Sequence, residues 1–276
     1  VGFSSYSDID PAKIHYGISR KVLVAANAQF AWYDDSMIGP EPGANLYADA
    51  PLSATALTAS RGLRHWQAHS SHSEHLLEWF VSGAGGSDGP MTFMLNDHIL
   101  YYPFIDCESG DQQDMDNTVT LPRETTGAGV RAFIVCQQLG TVDGAYEISY
   151  TNQAGTSGRV VTGTVRAGAQ ASQLLTSALT TGEAHNPWIP LARGDNGIRQ
   201  IDSITWTTPP GGLAAIVLAK PIASIIHPET TTYTEKTFHP RMPRIHNEAC
   251  LMMLRAAGSS PSAGRSYFSQ ITTIKS

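Results

Sequence analysis

Four histidines crowd one short stretch of the chain: His65, His69, His72 and His75, spaced by four, three and three residues. On a helix they would share a face, and neutral imidazoles so placed can ligate a transition metal. No glutamate completes a His-Glu-x-x-His pattern, no cysteine lies nearby, and Ser70, Ser71 and Ser73 give the stretch the composition of a loop. The four histidines are therefore the candidate metal ligands, but a solvated or interface loop is the default and no metal is expected. Gly85-Gly86-Ser87-Asp88-Gly89 spells Gly-x-Ser-x-Gly, which presents a nucleophile only where a strand turns sharply into a helix. Here Pro90 and strand-like Met91-Thr92-Phe93-Met94 follow, so a hairpin loop is favoured. Asp106, Glu108, Asp111, Asp114 and Asp116 offer hard oxygens of the kind that hold calcium, but not in the order of an EF-hand loop. Gly127-Ala128-Gly129 opens like a dinucleotide fingerprint, yet lacks the third glycine and precedes a strand. The sequence predicts no catalytic residue, no cofactor and no enzyme.

The elements that would position these groups read as strands and turns. Helical periodicity is confined to residues 11–16 and 170–179, where Leu174, Leu175 and Leu179 could form a stripe. Residues 75–81, 91–96 and 99–105 are short apolar or aromatic runs between polar turns. Residues 129–137, 146–150 and 159–165 look like consecutive hairpin strands, with Asn152-Gln153-Ala154-Gly155 as one turn. Residues 201–207 alternate, and Pro209-Pro210-Gly211-Gly212 leads into a fully apolar run at 213–219 that should be a buried strand. Residues 250–256 and 267–274 end the chain as an apolar run, a turn and an aromatic strand. The predicted fold is mainly β, an antiparallel sandwich or jelly-roll-like arrangement of two β-units with few short helices. The units are expected at 1–123 and 124–225, with 226–276 supplying an extended arm and C-terminal strands that complete the first. Gly-apolar-Arg recurs at Gly62-Leu63-Arg64, Gly129-Val130-Arg131 and Gly197-Ile198-Arg199. The last two follow Leu121-Pro122-Arg123 and Leu191-Ala192-Arg193, a hint of two similar units whose glycines sit at strand boundaries.

Composition narrows the function classes. Only 15% of the residues are charged, the net charge is −6, and no Lys/Arg run occurs, so nothing drives counterion release onto nucleic acid. Apolar runs fall far short of the ~20 residues of a membrane helix, and Val1-Gly2-Phe3-Ser4-Ser5-Tyr6 has neither the basic start nor the apolar core of a signal peptide. Sparse charge suits a subunit that covers much of itself with neighbours. Trp32, Trp66, Trp79, Trp188 and Trp206 are dispersed and read as core or interface anchors.

Three stretches resemble a family of structural proteins from tailed bacteriophages. They are Met91-Thr92-Phe93-Met94-Leu95 through Leu100-Tyr101-Tyr102-Pro103-Phe104; Leu121-Pro122-Arg123 with Gly127-Ala128-Gly129-Val130-Arg131 and Ser149-Tyr150-Thr151-Asn152; and Ile189-Pro190-Leu191-Ala192-Arg193-Gly194-Asp195 through Gly211-Gly212-Leu213-Ala214. The resemblance implies a virion protein without enzymatic residues, assembled in the host cytoplasm and partnered by copies of itself and other virion proteins. A capsid decoration or cement protein is the expectation; a major capsid or tail protein is the alternative, and a carbohydrate-binding surface module is the rival from another class. Residues 226–248, with their prolines and threonines, should form an extended arm whose Tyr233, Phe238 and Met242 are the interface candidates, or else a connector crossing the chain's own surface to deliver the C-terminal strands. Cys107, Cys136 and Cys250, an odd number at wide spacing, should be reduced thiols. Alkylation of the unfolded chain without reductant should label all three; fewer labelled thiols would mean a disulfide.

Overall fold

The computed structural model describes residues 13–23, 31–65, 73–84, 90–138, 140, 142–165, 169–175, 186–228, 232–238, 241–258 and 263–275. These form sixteen strands: β1 (Ile14–Val22), β2 (Trp32–Asp34), β3 (Pro40–Glu41), β4 (Thr55–Ala56), β5 (Glu74–Ala84), β6 (Met91–Asp106), β7 (Gln113–Asp114), β8 (Arg131–Gln138), β9 (Gly144–Asn152), β10 (Arg159–Val165), β11 (Ile198–Thr208), β12 (Leu213–His227), β13 (Tyr233–Thr237), β14 (Arg244–Ile245), β15 (Leu251–Ala257) and β16 (Ser266–Lys275). Three antiparallel sheets result. The central sheet runs β2-β15-β6-β12-β8 with β4 added to β6, the outer sheet runs β13-β5-β16-β1-β3 with β14 added to β5, and a small sheet runs β10-β9-β11-β7. The mainly antiparallel β architecture read from the sequence is the architecture found.

The long pair β6 and β12 organises the molecule. At about 3.3 Å per residue, the 16 residues of β6 reach roughly 50 Å, more than one sandwich needs. One end of the pair, with Met91, Phe93, Leu95 and Ile225, packs with Leu76, Trp79, Val81 and Ile271 of the outer sheet. The other end, with Tyr102, Ile105, Ala214, Ile216 and Leu218, packs with Ile148, Tyr150, Ile204 and Trp206 of the small sheet. On β12 the intervening Ala215, Val217 and Ala219 turn to the opposite face, which Trp32, Tyr47, Leu57 and Trp188 cover. Residues from 1–123, 124–225 and 226–276 thus all enter the central sheet.

Several local expectations change. Residues 14–16 belong to strand β1, and residues 170–175 form turns whose Gln173 and Leu174 bridge to Tyr33 and Val135. Residues 11, 12 and 176–179 lie outside the described residues. Where a helix was expected, the leucines anchor a loop along the edge of β8: Leu174 N donates to Trp32 O and Cys136 N to Gln173 O. β9 and β10 do form a hairpin, but β8 leaves that ladder for β12. The reason is burial: Ala132 through Cys136 are covered on both faces, whereas β10 alternates. Residues 91–96 and 99–105 are one strand, continuous through Asn96-Asp97-His98 because register shifts against β12 absorb the irregularity. Within residues 226–248, expected as an extended arm or a connector across the chain's own surface, the described residues end β12 and lay β13 and β14 along β5.

The two later Gly-apolar-Arg phrases meet in space. Gly129 N donates to Asn196 O at 3.0 Å and Ile198 N to Val130 O at 3.1 Å. Gly129 takes φ +75°, and a Cβ on Gly197 would lie 1.9 Å from the Gly127 carbonyl oxygen. Gly211 and Gly212, at φ +84° and +81°, carry the chain from the small sheet into the central one. Because backbone rather than a flexible side chain blocks the space, Gly197→Ala should cost about 2–4 kcal/mol in chemical denaturation. Gly43→Ala, with nothing within 4 Å, should be near neutral.

Candidate functional site

The most concentrated chemistry lies in a buried polar seam along mid-β6. Arg123 clamps Asp97 with two hydrogen bonds, its Nε 2.7 Å from Oδ2 and its Nη2 on Oδ1. The same guanidinium donates to the carbonyls of Leu57 and His98, and Cys250 N donates to Asp97 Oδ1 at 2.9 Å. His98 Nδ1 lies 3.2 Å from the Tyr47 hydroxyl, which donates to Asp34 and sits 2.8 Å from Ser36 Oγ. Farther along, Arg255 pairs with Asp35 at 3.1 Å and stands over the rings of Tyr33 and Tyr267, 5.3 and 5.0 Å from their centroids. Lys21 Nζ donates to the carbonyls of Ile38 and Pro42, each at 2.7 Å.

Burial dominates the protonation of these groups. It pushes the Tyr47 hydroxyl well above its ordinary value, with the Asp34 carboxylate adding to the effect. It lowers the His98 imidazole and the Lys21 ammonium. It raises the Asp35 carboxyl even against the pull of Arg255. An acid, a phenol and an imidazole in line can form a proton relay, but Asp34, Tyr47 and His98 are fully buried. Cavities of 570 Å³ beside His15, Arg61 and Arg64 and of 540 Å³ beside Asn45 and Tyr101 are lined by other residues. What the seam does is hold loop backbone against the central sheet.

The sequence-predicted site residues scatter. His65 Nδ1 lies 2.7 Å from Glu74 Oε2 and its Nε2 lies 2.8 Å from Ala249 O, so both nitrogens are committed within the protein. Burial lowers its pKa, but the Glu74 hydrogen bond and charge outweigh that and leave it above the ordinary value. His75 lies on β5 opposite Arg244 and Ile274, while His69 and His72 fall outside the described residues, as does the Gly85–Gly89 phrase. In the acidic loop, Asp106 accepts from Glu108 N and Asp116 from Thr118 N, which are turn-forming bonds, and Asp114 accepts from the side chain of Gln112. Among the described residues no three His, Cys, Asp or Glu side chains converge to hold a metal ion. Cys107, Cys136 and Cys250 are buried free thiols; burial pushes Cys136 up to about 11.

Of the interface candidates, Phe238 packs against the core under the outer sheet, with Lys236 Nζ 5.3 Å from its ring centroid, and Met242 is half-buried. Tyr233 belongs to something larger. On the solvent face of the outer sheet, opposed residues form three rows: Tyr233, Ser82, Phe268, Arg20; Glu235, Phe80, Gln270, Ile18; and Thr237, Glu78, Thr272, Tyr16. Phe80 stacks on Tyr233 at 5.3 Å and meets Phe268 edge-on at 6.1 Å. Tyr16 is 58% exposed, Ile18 48%, Tyr233 65% and Phe268 37%. Beside them burial, then the hydrogen bond and charge of Glu235, raise the Glu78 carboxyl, so two acids crowd one side of the face. The sequence reading found Tyr233 and missed Tyr16, Ile18, Phe80 and Phe268.

No family model and no curated protein matches the chain. Among solved structures, VP2 of infectious bursal disease virus in derived T=1 particles aligns at 11% identity over 99% of this chain and 80% of that one, with a TM-score of 0.21. The structure of the Gx strain of the same virus aligns at 10% identity over 95% and 80%, with a TM-score of 0.22. Likeness at that level carries no argument about what this chain does.

Removing Arg123 strands the Asp97 charge in the interior, so Arg123→Met should lose about 3–5 kcal/mol. The double variant Asp97→Asn, Arg123→Met, which removes both charges and keeps an acceptor for Cys250 N, should lose distinctly less. Urea titrations of the cycle measure the coupling.

Proposed function

We propose that the chain is a non-enzymatic structural subunit of a bacteriophage particle, a capsid decoration or cement protein that works among copies of itself and other virion proteins after assembly in the host cytoplasm. The observation that carries this reading is the outer face of the outer sheet, where Tyr16, Ile18, Tyr233 and Phe268 stand exposed beside Phe80. An apolar surface of that kind is what an assembling protein presents to a neighbour. The polar seam agrees with it in that Arg123 and Asp97 are spent on each other and on backbone, with Asp97 also at the wall of a 270 Å³ cavity beside Glu124, Lys220 and His246. The phrases that resemble tailed-phage structural proteins point the same way, and the chain's sparse charge suits a covered subunit.

A carbohydrate-binding module is the second reading, because the free ring face of Tyr233 next to Phe80 could stack on a sugar. The two readings part in a cryo-EM map of gradient-purified particles. The proposal expects this chain at symmetry-related positions on the capsid exterior; its absence from purified particles, with binding on a glycan array, would replace it with the second reading.

A further inference from the structure

The alternation of β1 is inside out. Gly17, Ser19 and Lys21 point into the protein and are buried, while Tyr16 and Ile18 point outward. Gly17 is confined by the Arg64 carbonyl oxygen, which would lie 2.1 Å from a Cβ. An ordinary half-buried strand puts its small and polar side chains toward water and its large apolar ones toward the core. Here the large side chains of β1 face outward and stand exposed.

We infer that the outer face of the β13-β5-β16-β1 sheet is covered by the same face of a second copy of this chain, packed about a two-fold axis running along β16. The inference rests on the reading of the chain as an assembling subunit and names that subunit's partner. Two features of the face fit a second copy. The first is its charge distribution: Glu78 and Glu235 crowd the β5–β13 side, while Arg20 stands on β1 across from them, beside Glu41 of β3. A two-fold along β16 exchanges these sides. It sets Phe268 against its own copy, Phe80 over the partner copy's β1 near Ile18, and Arg20 within reach of Glu235 of the other copy, relieving the crowded acids. Within one chain Arg20 and Glu235 are three strand spacings apart, about 14 Å, too far to pair. The second feature is area. Strands β13, β5, β16 and β1, of 5, 11, 10 and 9 residues, at about 3.3 Å per residue and 4.8 Å per strand make a face of roughly 550 Å² in projection, near the lower end of the ~600–1,000 Å² per partner of a stable interface.

The test is sedimentation equilibrium of the full chain with charge-swapped variants. Wild type should self-associate to a dimer. Arg20→Glu and Glu235→Arg, each setting like charges against each other across the two-fold, should raise the dissociation constant about tenfold or more. The double swap Arg20→Glu, Glu235→Arg should return to within about threefold of wild type, because the pair is restored between copies. Phe268→Glu, which places two carboxylates on the axis, should give monomer with an unchanged circular dichroism spectrum. Glu41 of β3 lies directly opposite Arg20, so Arg20→Glu also adds a repulsion within the chain, one that the single and the double swap share. A wild type that stays monomeric at about 100 µM overturns the inference, as does a Phe268→Glu dimer or a double swap no better than the singles. A monomeric wild type that binds glycans through Tyr233 and Phe268 also overturns it. Location on the particle is read separately, so a monomer found on capsids would sink this interface and leave the particle reading standing.

Discussion

The Asp97–Arg123 pair sits at the point on which the architecture turns. β6 is a single strand whose ends serve different sandwiches, and mid-strand it must carry Asn96, Asp97 and His98 through the interior. A carboxylate there is tolerable only with a cation and donors that leave no lone pair stranded. Arg123 supplies both. Its guanidinium also reaches the Leu57 carbonyl on the β4 loop and the His98 carbonyl, while Asp97 takes the amide of Cys250 at the entry to β15. One ion pair thus fixes three segments at the crossover between the two apolar clusters. Such a pair contributes modestly to stability when intact and costs much when broken, which makes it a device for fixing register more than a source of affinity.

The second fixed point is the contact between the two glycine phrases. Gly127, Gly129 and Gly197 let the entrance to β8 approach the entrance to β11 at backbone distance, with the Ala128–Gly197 bridge between them. β8 belongs to the central sheet and β11 to the small one, so this approach ties the two layers at their margin, beside the core that Ile134 and Ile204 help to fill. Arg199, in the second phrase, donates to the carbonyls of Thr126 and Gln153 and closes the same corner.

How much of this was legible in the sequence follows from what period two encodes. The β9–β10 hairpin could be read because its strands are half-buried and its turn carries Asn152 and Gly155, both used there: Asn152 Oδ1 accepts from Ala154 N and Thr156 N. The burial of β12 could be read because a run such as Ala215-Ile216-Val217-Leu218 tolerates water on neither face. Pairing between distant strands could not be read, so β8 was placed in a hairpin it leaves. The seam was hidden for another reason: Asp34, Tyr47, His98 and Arg123 are spread over ninety residues and meet only through the fold. The exposed aromatic face was missed because alternation tells which residues share a face, not which face is buried.

That inversion also bears on how the outer sheet can meet other molecules. A sheet offers neighbours its edges or its faces, and edges propagate by adding strands without limit. Here one edge ends in the two-residue strand β3, which begins with proline, and the other in the short strand β13, where Glu235 and Lys236 stand side by side. Proline withholds a donor, short strands offer few hydrogen bonds, and adjacent charges resist burial, so both edges discourage addition. The face bears aromatic and aliphatic side chains, with Glu78 and Glu235 on one side and Arg20 next to Glu41 on the other. Contact through a face about a two-fold closes after one partner, whereas contact through an edge does not. On the inferred two-fold, the residues that guard the edges and those that load the face act together, so that association would stop at one partner.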